Sequence, residues 1–134
     1  MICENSFGLR IKMPTFHIVI TFSYKMISWE DFEKIDIRVG TIIDADDFPQ
    51  ARNPSYKLII DFGELGIKKS SAQITQLYNK EDLIGKQITA VVNFPPKQIA
   101  NFMSECLILG VIDNKKEVTL LEPGKCVNNG LRIG

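Results

Sequence analysis

From residue 35 onward the apolar positions fall in short, β-branched runs broken by Gly, Pro, Asn and Asp, the pattern of an all-β chain. IDIRVGTIIDAD (35–46) predicts a first strand, with Gly40 inside it marking a bulge or a barrel corner. Two prolines make FPQARNPS (48–55) a loop. YKLIIDF (56–62) and IKKSSAQI (67–74) predict second and third strands, joined tightly through GELG (63–66) as a meander. TQLYNKEDLIGK (75–86) changes to helical spacing, with Gly85 as its stop. QITAVVNF (87–94) is a fourth strand, and CLILGVI (106–112) with EVTLLE (117–122) predicts a hairpin around DNKK. Ahead of these lies a short helix in SWEDFEKI, where Ser28 and Asp31 have capping-box spacing.

This order of elements predicts a five-stranded OB-fold Greek-key barrel with a short N-terminal helix and one inserted helix; an SH3-like barrel would lack the insertion. Barrel strands should alternate, because one face fills the interior. CLILGVI does not alternate, so its outer side needs a cover: the helix, the tail or a second subunit. A homodimer is the economical cover, and coverage within one chain is the equal alternative. Leu107, Leu109 and Val111 are accordingly interface or core positions.

Composition changes at Met26, which predicts residues 1–25 as an N-terminal extension and residues 26–134 as the domain. Two readings stand for the first segment: a native extension, in which FHIVITF (16–22) is an added edge strand, or upstream sequence from a misplaced start. FHIVITF is well short of the about 20 residues of a membrane helix, and no small-residue cleavage site follows it, so neither membrane insertion nor a signal peptide is expected. Three cysteines without CxxC spacing suit a reducing compartment, and a cytoplasmic protein is expected.

Sixteen basic and sixteen acidic residues cancel over the 134 residues. Without Arg10, Lys12, Lys25 and Glu4 of the first segment, 13 basic and 15 acidic groups remain, so any basic site must be local. The single histidine, His17, also lies in that segment, which leaves the domain without a base for Ser-His-Asp or Cys-His catalysis and without histidine for a metal site. Phosphate-cradling glycine motifs are missing as well, and DADD (44–47) lacks the other ligands of a calcium loop. Binding rather than catalysis is expected, with no cofactor and no metal.

Two polar stretches do not fit a plain barrel. In the third strand, Lys68 and Lys69 precede Ser70, Ser71 and Gln73, a set of charges, donors and acceptors suited to phosphate, a base edge or a peptide backbone, on the strand pair where OB folds bind ligands. The second stretch is NFPPKQIANFMSE (93–105), whose prolines forbid ladder pairing at 95 and 96 and predict a stiff arm carrying Lys97, Gln98, Asn101 and Ser104. Phe94 and Phe102 bracket the arm, as core anchors or as stacking faces.

KIDIRVGTI, SSAQIT, VVNFPPKQIA and FMSECLILG resemble the CsaA family of export-related chaperones, which is itself similar to the tRNA-binding domain at the end of some methionyl-tRNA synthetases. The likeness spans Met26 to Gly134. It implies a cytoplasmic OB-fold homodimer that binds unfolded preproteins and also tRNA. Arg38, Ser71, Asn93, Lys97 and Ser104 match positions shared with the wider RNA-binding family; where that family has glycine ahead of its serine segment, this chain has Asn101. Two ligands are therefore expected: extended preprotein peptides, or structured tRNA held by Arg38, Lys68, Lys69 and Lys97.

Overall fold

The computed structural model describes residues 25–134. The expectations for FHIVITF, Cys3 and His17 lie outside the described residues. By compactness the chain divides between Phe32 and Glu33. At that division sits a short helix, α1 (Trp29–Glu33). Its start is the reciprocal box that the spacing predicts: the Asp31 amide donates to Ser28 Oγ (3.1 Å), and the Ser28 amide donates to the Asp31 carboxylate (3.0 Å).

The unit from Glu33 to Gly134 is built on β1 (Ile37–Asp47), β2 (Tyr56–Asp61), β3 (Ile67–Ala72), α2 (Lys80–Leu83) and β4 (Gln87–Val91). Five shorter strands follow: β5 (Lys97–Ile99), β6 (Phe102–Ser104), β7 (Leu107–Ile108), β8 (Gly110–Ile112) and β9 (Val118–Leu120). One antiparallel sheet runs β3-β2-β1-β4-β7, and β5-β6 and β8-β9 are separate hairpins. The sheet curls until its ends meet: the Glu105 amide donates to Lys69 O (2.8 Å), and the Ser71 amide to Ser104 Oγ (3.3 Å). An all-β OB barrel results, as the element order predicts.

Alternation on β2 places Tyr56, Leu58 and Ile60 inside, where they meet Ile42, Phe62, Ile74, Leu83, Ile88, Cys106 and Leu120. Gly40 is a point of close approach rather than the bulge itself. A Cβ there would stand 2.6 Å from Ile60 Cγ2, while the slip in register comes later, between Ile42 and Asp44. The inserted helix is only four residues long, shorter than its spacing suggests. Tertiary bonds claim the residues before it: Tyr56 donates its hydroxyl to Tyr78 O (2.8 Å), and the Leu120 amide donates to the Tyr78 hydroxyl (3.0 Å). Among the described residues, no helix is long and apolar enough to cross a membrane.

Two expectations are refined. The arm after the prolines is a hairpin, with Lys97 opposite Ser104 and Ile99 opposite Phe102. CLILGVI is shared between two sheets: Leu107 and Ile108 pair with β4, and Gly110 to Ile112 pair with β9. The first half of β1 has β4 on one side only. Its other side is filled by residues 130–133, through Gly130 N to Val39 O (2.7 Å), Val39 N to Leu131 O (3.0 Å) and Ile133 N to Ile37 O (2.9 Å). This C-terminal strap supplies the ladder that β2 begins only at Thr41.

Candidate functional site

Side chains alternate along a strand, so consecutive residues of IKKSSA cannot share a face. On the β2-β3 pair, Leu58 faces Ser70 and Ile60 faces Lys68 on the inner side, while Lys57 faces Ser71 and Ile59 faces Lys69 on the outer side. Lys68 and Lys69 are thereby separated. Lys68 lies near the Cys106 thiol. Lys69 and Lys57 share the outer face, and the sequence alone had not singled out Lys57.

The β5-β6 hairpin leans on the end of this face. Phe102 meets the buried ring of Phe48 edge to face, with centroids 5.5 Å apart. The Lys69 ammonium lies 5.3 Å over Phe102, and that of Lys57 lies 5.6 Å over Phe48. With its faces occupied in this way, Phe102 anchors the hairpin rather than offering a platform for a base. Phe94 is the exposed aromatic of the pair.

Below the rings is a network of hydroxyls. Ser70 is fully buried and donates to Cys106 O (2.8 Å), and Ser104 Oγ donates to the same carbonyl (3.3 Å) while accepting from the Ser71 amide. Glu105 accepts the Lys69 amide through its carboxylate (2.8 Å). Burial pushes the Cys106 thiol up to about 11, with the Ser70 hydrogen bond and the Lys68 charge opposing the rise. It is a packed thiol, poor as a nucleophile at neutral pH. Lys97 stands across the ladder from Ser104, hence on the same side of the hairpin, while Gln98 and Met103 occupy the other side. The result is a corner with Lys57, Lys69 and Lys97 around Ser71 and Ser104. Gln73 lies one residue beyond β3 and is exposed.

Arg38 and Asn93 belong to a different cluster. Arg38 forms an ion pair with Asp36 (2.6 Å) and donates through Nη1 to Gly130 O (2.9 Å). Asn93 Oδ1 accepts the Asp36 amide (3.0 Å), and its Nδ2 donates to Lys34 O (2.7 Å). Asn93 thus holds the backbone at Lys34 and Asp36, while Arg38 ties the Asp36 carboxylate to the backbone at Gly130. Leu107 and Val111 are exposed at 50% and 57%, and Leu109 is half-buried. Besides Lys57, Phe48 and Glu105 are the site residues that the sequence did not mark. Phe48 stands in a proline-flanked loop and Glu105 between two strands, where no periodicity reveals a partner.

Residues 37–132 match the family described as "Putative tRNA binding domain". The chain belongs to this tRNA-binding-domain family. Within the family, the "Crystal structure of chaperone CsaA form Bacillus anthracis str. Ames" is 54% identical, with a TM-score of 0.79, covering 82% of this chain and 100% of that one. A CsaA chaperone structure from Picrophilus torridus is 55% identical, with a TM-score of 0.77, covering 81% of this chain and 100% of that one. The chain is therefore a CsaA-like tRNA-binding-domain protein. A methionine--tRNA ligase of Nanoarchaeum equitans (strain Kin4-M) is 40% identical over 112 residues, 82% of this chain. The chain spans 14% of that ligase and 16% of the Methanococcoides burtonii one. The tRNA-binding-domain match, residues 37–132, accounts for most of the chain.

Proposed function

We propose that this chain binds tRNA through the corner between the outer face of β2-β3 and the β5-β6 hairpin. The observation that supports the reading is the register: Lys57 and Lys69 share the outer face with Ser71, and Lys97 stands opposite Ser104, whose Oγ accepts from the Ser71 amide. Ammonium groups neutralise phosphates, and serine hydroxyls and backbone amides complete the contacts without reading sequence. Asp44 and Asp46 flank the corner on β1, opposite Ile59 and Lys57, which confines attraction to a narrow strip and agrees with the chain's zero net charge.

The test is fluorescence anisotropy of labelled tRNA over a range of salt. Three engaged lysines give a log-log salt slope of about −2 at single-stranded phosphates. Lys69→Ala and Lys97→Ala should each weaken binding about fivefold, the equivalent of one ion contact of about 1 kcal/mol near water, while Lys116→Ala at the β8-β9 tip changes nothing. Equal affinity in all four proteins would reject the corner as the site.

A second reading is favoured by exposed apolar groups around the hairpin. Phe94, Met103 and Leu107 are exposed at 54%, 40% and 50%. In this reading the chain is an export-related chaperone of the cytoplasm, working as a homodimer and holding extended apolar segments of unfolded preproteins. On this view the domain begins near Met26, with residues 1–25 as an addition to it. Suppression of aggregation of a denatured preprotein, lost in Met103→Asp but kept in Lys97→Ala, would support it; no suppression by the unaltered chain would reject it.

A further inference from the structure

The C-terminal strap requires two particular residues side by side. Gly130 has φ of +91°, and a Cβ there would stand 2.5 Å from Phe62 O, so no other residue fits. Its neighbour Asn129 uses Oδ1 to accept from Thr41 Oγ1 (2.8 Å) and from Gln87 Nε2 (3.0 Å). The fold thus imposes an Asn-Gly peptide. This pair is the most susceptible to deamidation, because glycine has no side chain to shield its nitrogen from the preceding amide carbon.

In the folded chain both reacting groups are held apart from that reaction. The Gly130 N–H is spent on Val39 O at 2.7 Å, which opposes both deprotonation and movement of the nitrogen. The Asn129 carboxamide is fixed by its two donors, and Arg38 Nη1 adds a bond to Gly130 O at 2.9 Å. Release of residues 129–133 from β1 and from Gln87 at the start of β4 removes all of these restraints together, without touching the β3-β2-β1-β4-β7 ladders.

We propose that Asn129–Gly130 is a deamidation site gated by the opening of the strap. The Gly130 nitrogen attacks Asn129 Cγ and loses its proton to solvent; the carbon–nitrogen bond of the carboxamide breaks, and ammonia leaves. Water then opens the cyclic imide at either carbonyl, giving aspartate or isoaspartate, so the net change is one water consumed for one ammonia released. Aspartate can still accept from Thr41 and Gln87. Isoaspartate adds a methylene to the backbone beside two closely spaced bonds, Gly130 N to Val39 O and Val39 N to Leu131 O, so the strap can no longer close in register. Opening, ordinarily reversible, becomes permanent.

The experiment incubates the full chain in mildly alkaline buffer, with and without urea, and follows Asn129 by peptide mass spectrometry and by methyl transfer from protein isoaspartate methyltransferase. Modification in the folded chain should be about tenfold slower, or more, than in urea, because it waits on local opening. Arg38→Gln, which removes the bond to Gly130 O, should move the folded rate toward the urea rate while melting stays cooperative. Thr41→Val serves as a second variant with the same expected direction, read by the same assay should Arg38→Gln fail to fold. Equal rates with and without urea, or no acceleration in a folded variant, would overturn the proposal. So would modification of Asn101 or Asn128 ahead of Asn129 in the folded chain.

Discussion

Ala100, at the tip of the β5-β6 hairpin, holds φ of +52°, a left-handed backbone angle that suits glycine better than alanine. Ala100→Gly should therefore raise stability by about 0.5–1 kcal/mol, read as a later midpoint in urea unfolding, the relief of strain exceeding the added freedom of the unfolded chain. Cys106 makes a second case. Its folded pKa is raised from 9.0 to about 11, so the folded state keeps the proton longer than the unfolded one. The stability this burial contributes is full below pH 9 and is lost as pH rises towards 11. Thiol alkylation at neutral pH should mark exposed Cys126 quickly and Cys106 only slowly, and Cys106→Ala should flatten the alkaline decline of the melting temperature. The sequence sets Cys106 at the head of the apolar run CLILGVI, a setting that suits a small buried hydrophobe. It gave no sign of the strained angle at Ala100, which arises from the two-residue turn and not from any preference of alanine.

At the scale of elements, the hairpin is fastened by one aromatic contact and a few hydroxyl bonds. Phe48→Leu keeps most of the apolar volume and removes the edge-to-face contact with Phe102, a loss of about 1 kcal/mol. Hydrogen exchange should then speed at the amides of residues 97–104 while those of β1 and β2 stay protected, and tRNA affinity should fall because Lys97 is no longer held beside Lys69. Uniform loss of protection would show the hairpin and barrel to be one cooperative piece. Strands β1 to β4 were legible because alternation and turn residues act locally. The hairpin was not, because its prolines hide three-residue strands whose pairing depends on the turn between them. CLILGVI was read as one strand for a similar reason: its transfer from β4 to β9 near Leu109 is set by partners far away in sequence.

Across the molecule, the apolar residues Leu107, Val111 and Ile112 remain exposed in the single chain, so the tail and α2 do not provide the cover that the unbroken apolar run calls for. A second copy is the proposed cover. The unaltered chain should sediment as a dimer, and Val111→Asp, at a position already open to solvent, should yield a folded monomer; a monomeric unaltered chain would remove the argument. The likeness to a family was readable from SSAQIT and NFPPKQIA, yet the motif residues separate in space: Ser71, Lys97 and Ser104 gather at the corner, while Arg38 and Asn93 meet at Asp36, one on its carboxylate and the other on its amide. Proximity in a motif list says nothing about which atoms are already engaged. The strap has one more consequence. It runs beside the start of β1, with Arg132 donating to Glu33 O (2.8 Å) and Ile133 to Ile37 O (2.9 Å), so the two ends of the Glu33–Gly134 unit lie next to each other. A short glycine-serine bridge across them would let the polypeptide be opened instead at the exposed tip between Asp113 and Lys116. Such a circular permutant would keep every ladder of the barrel while changing the order in which its strands are synthesised.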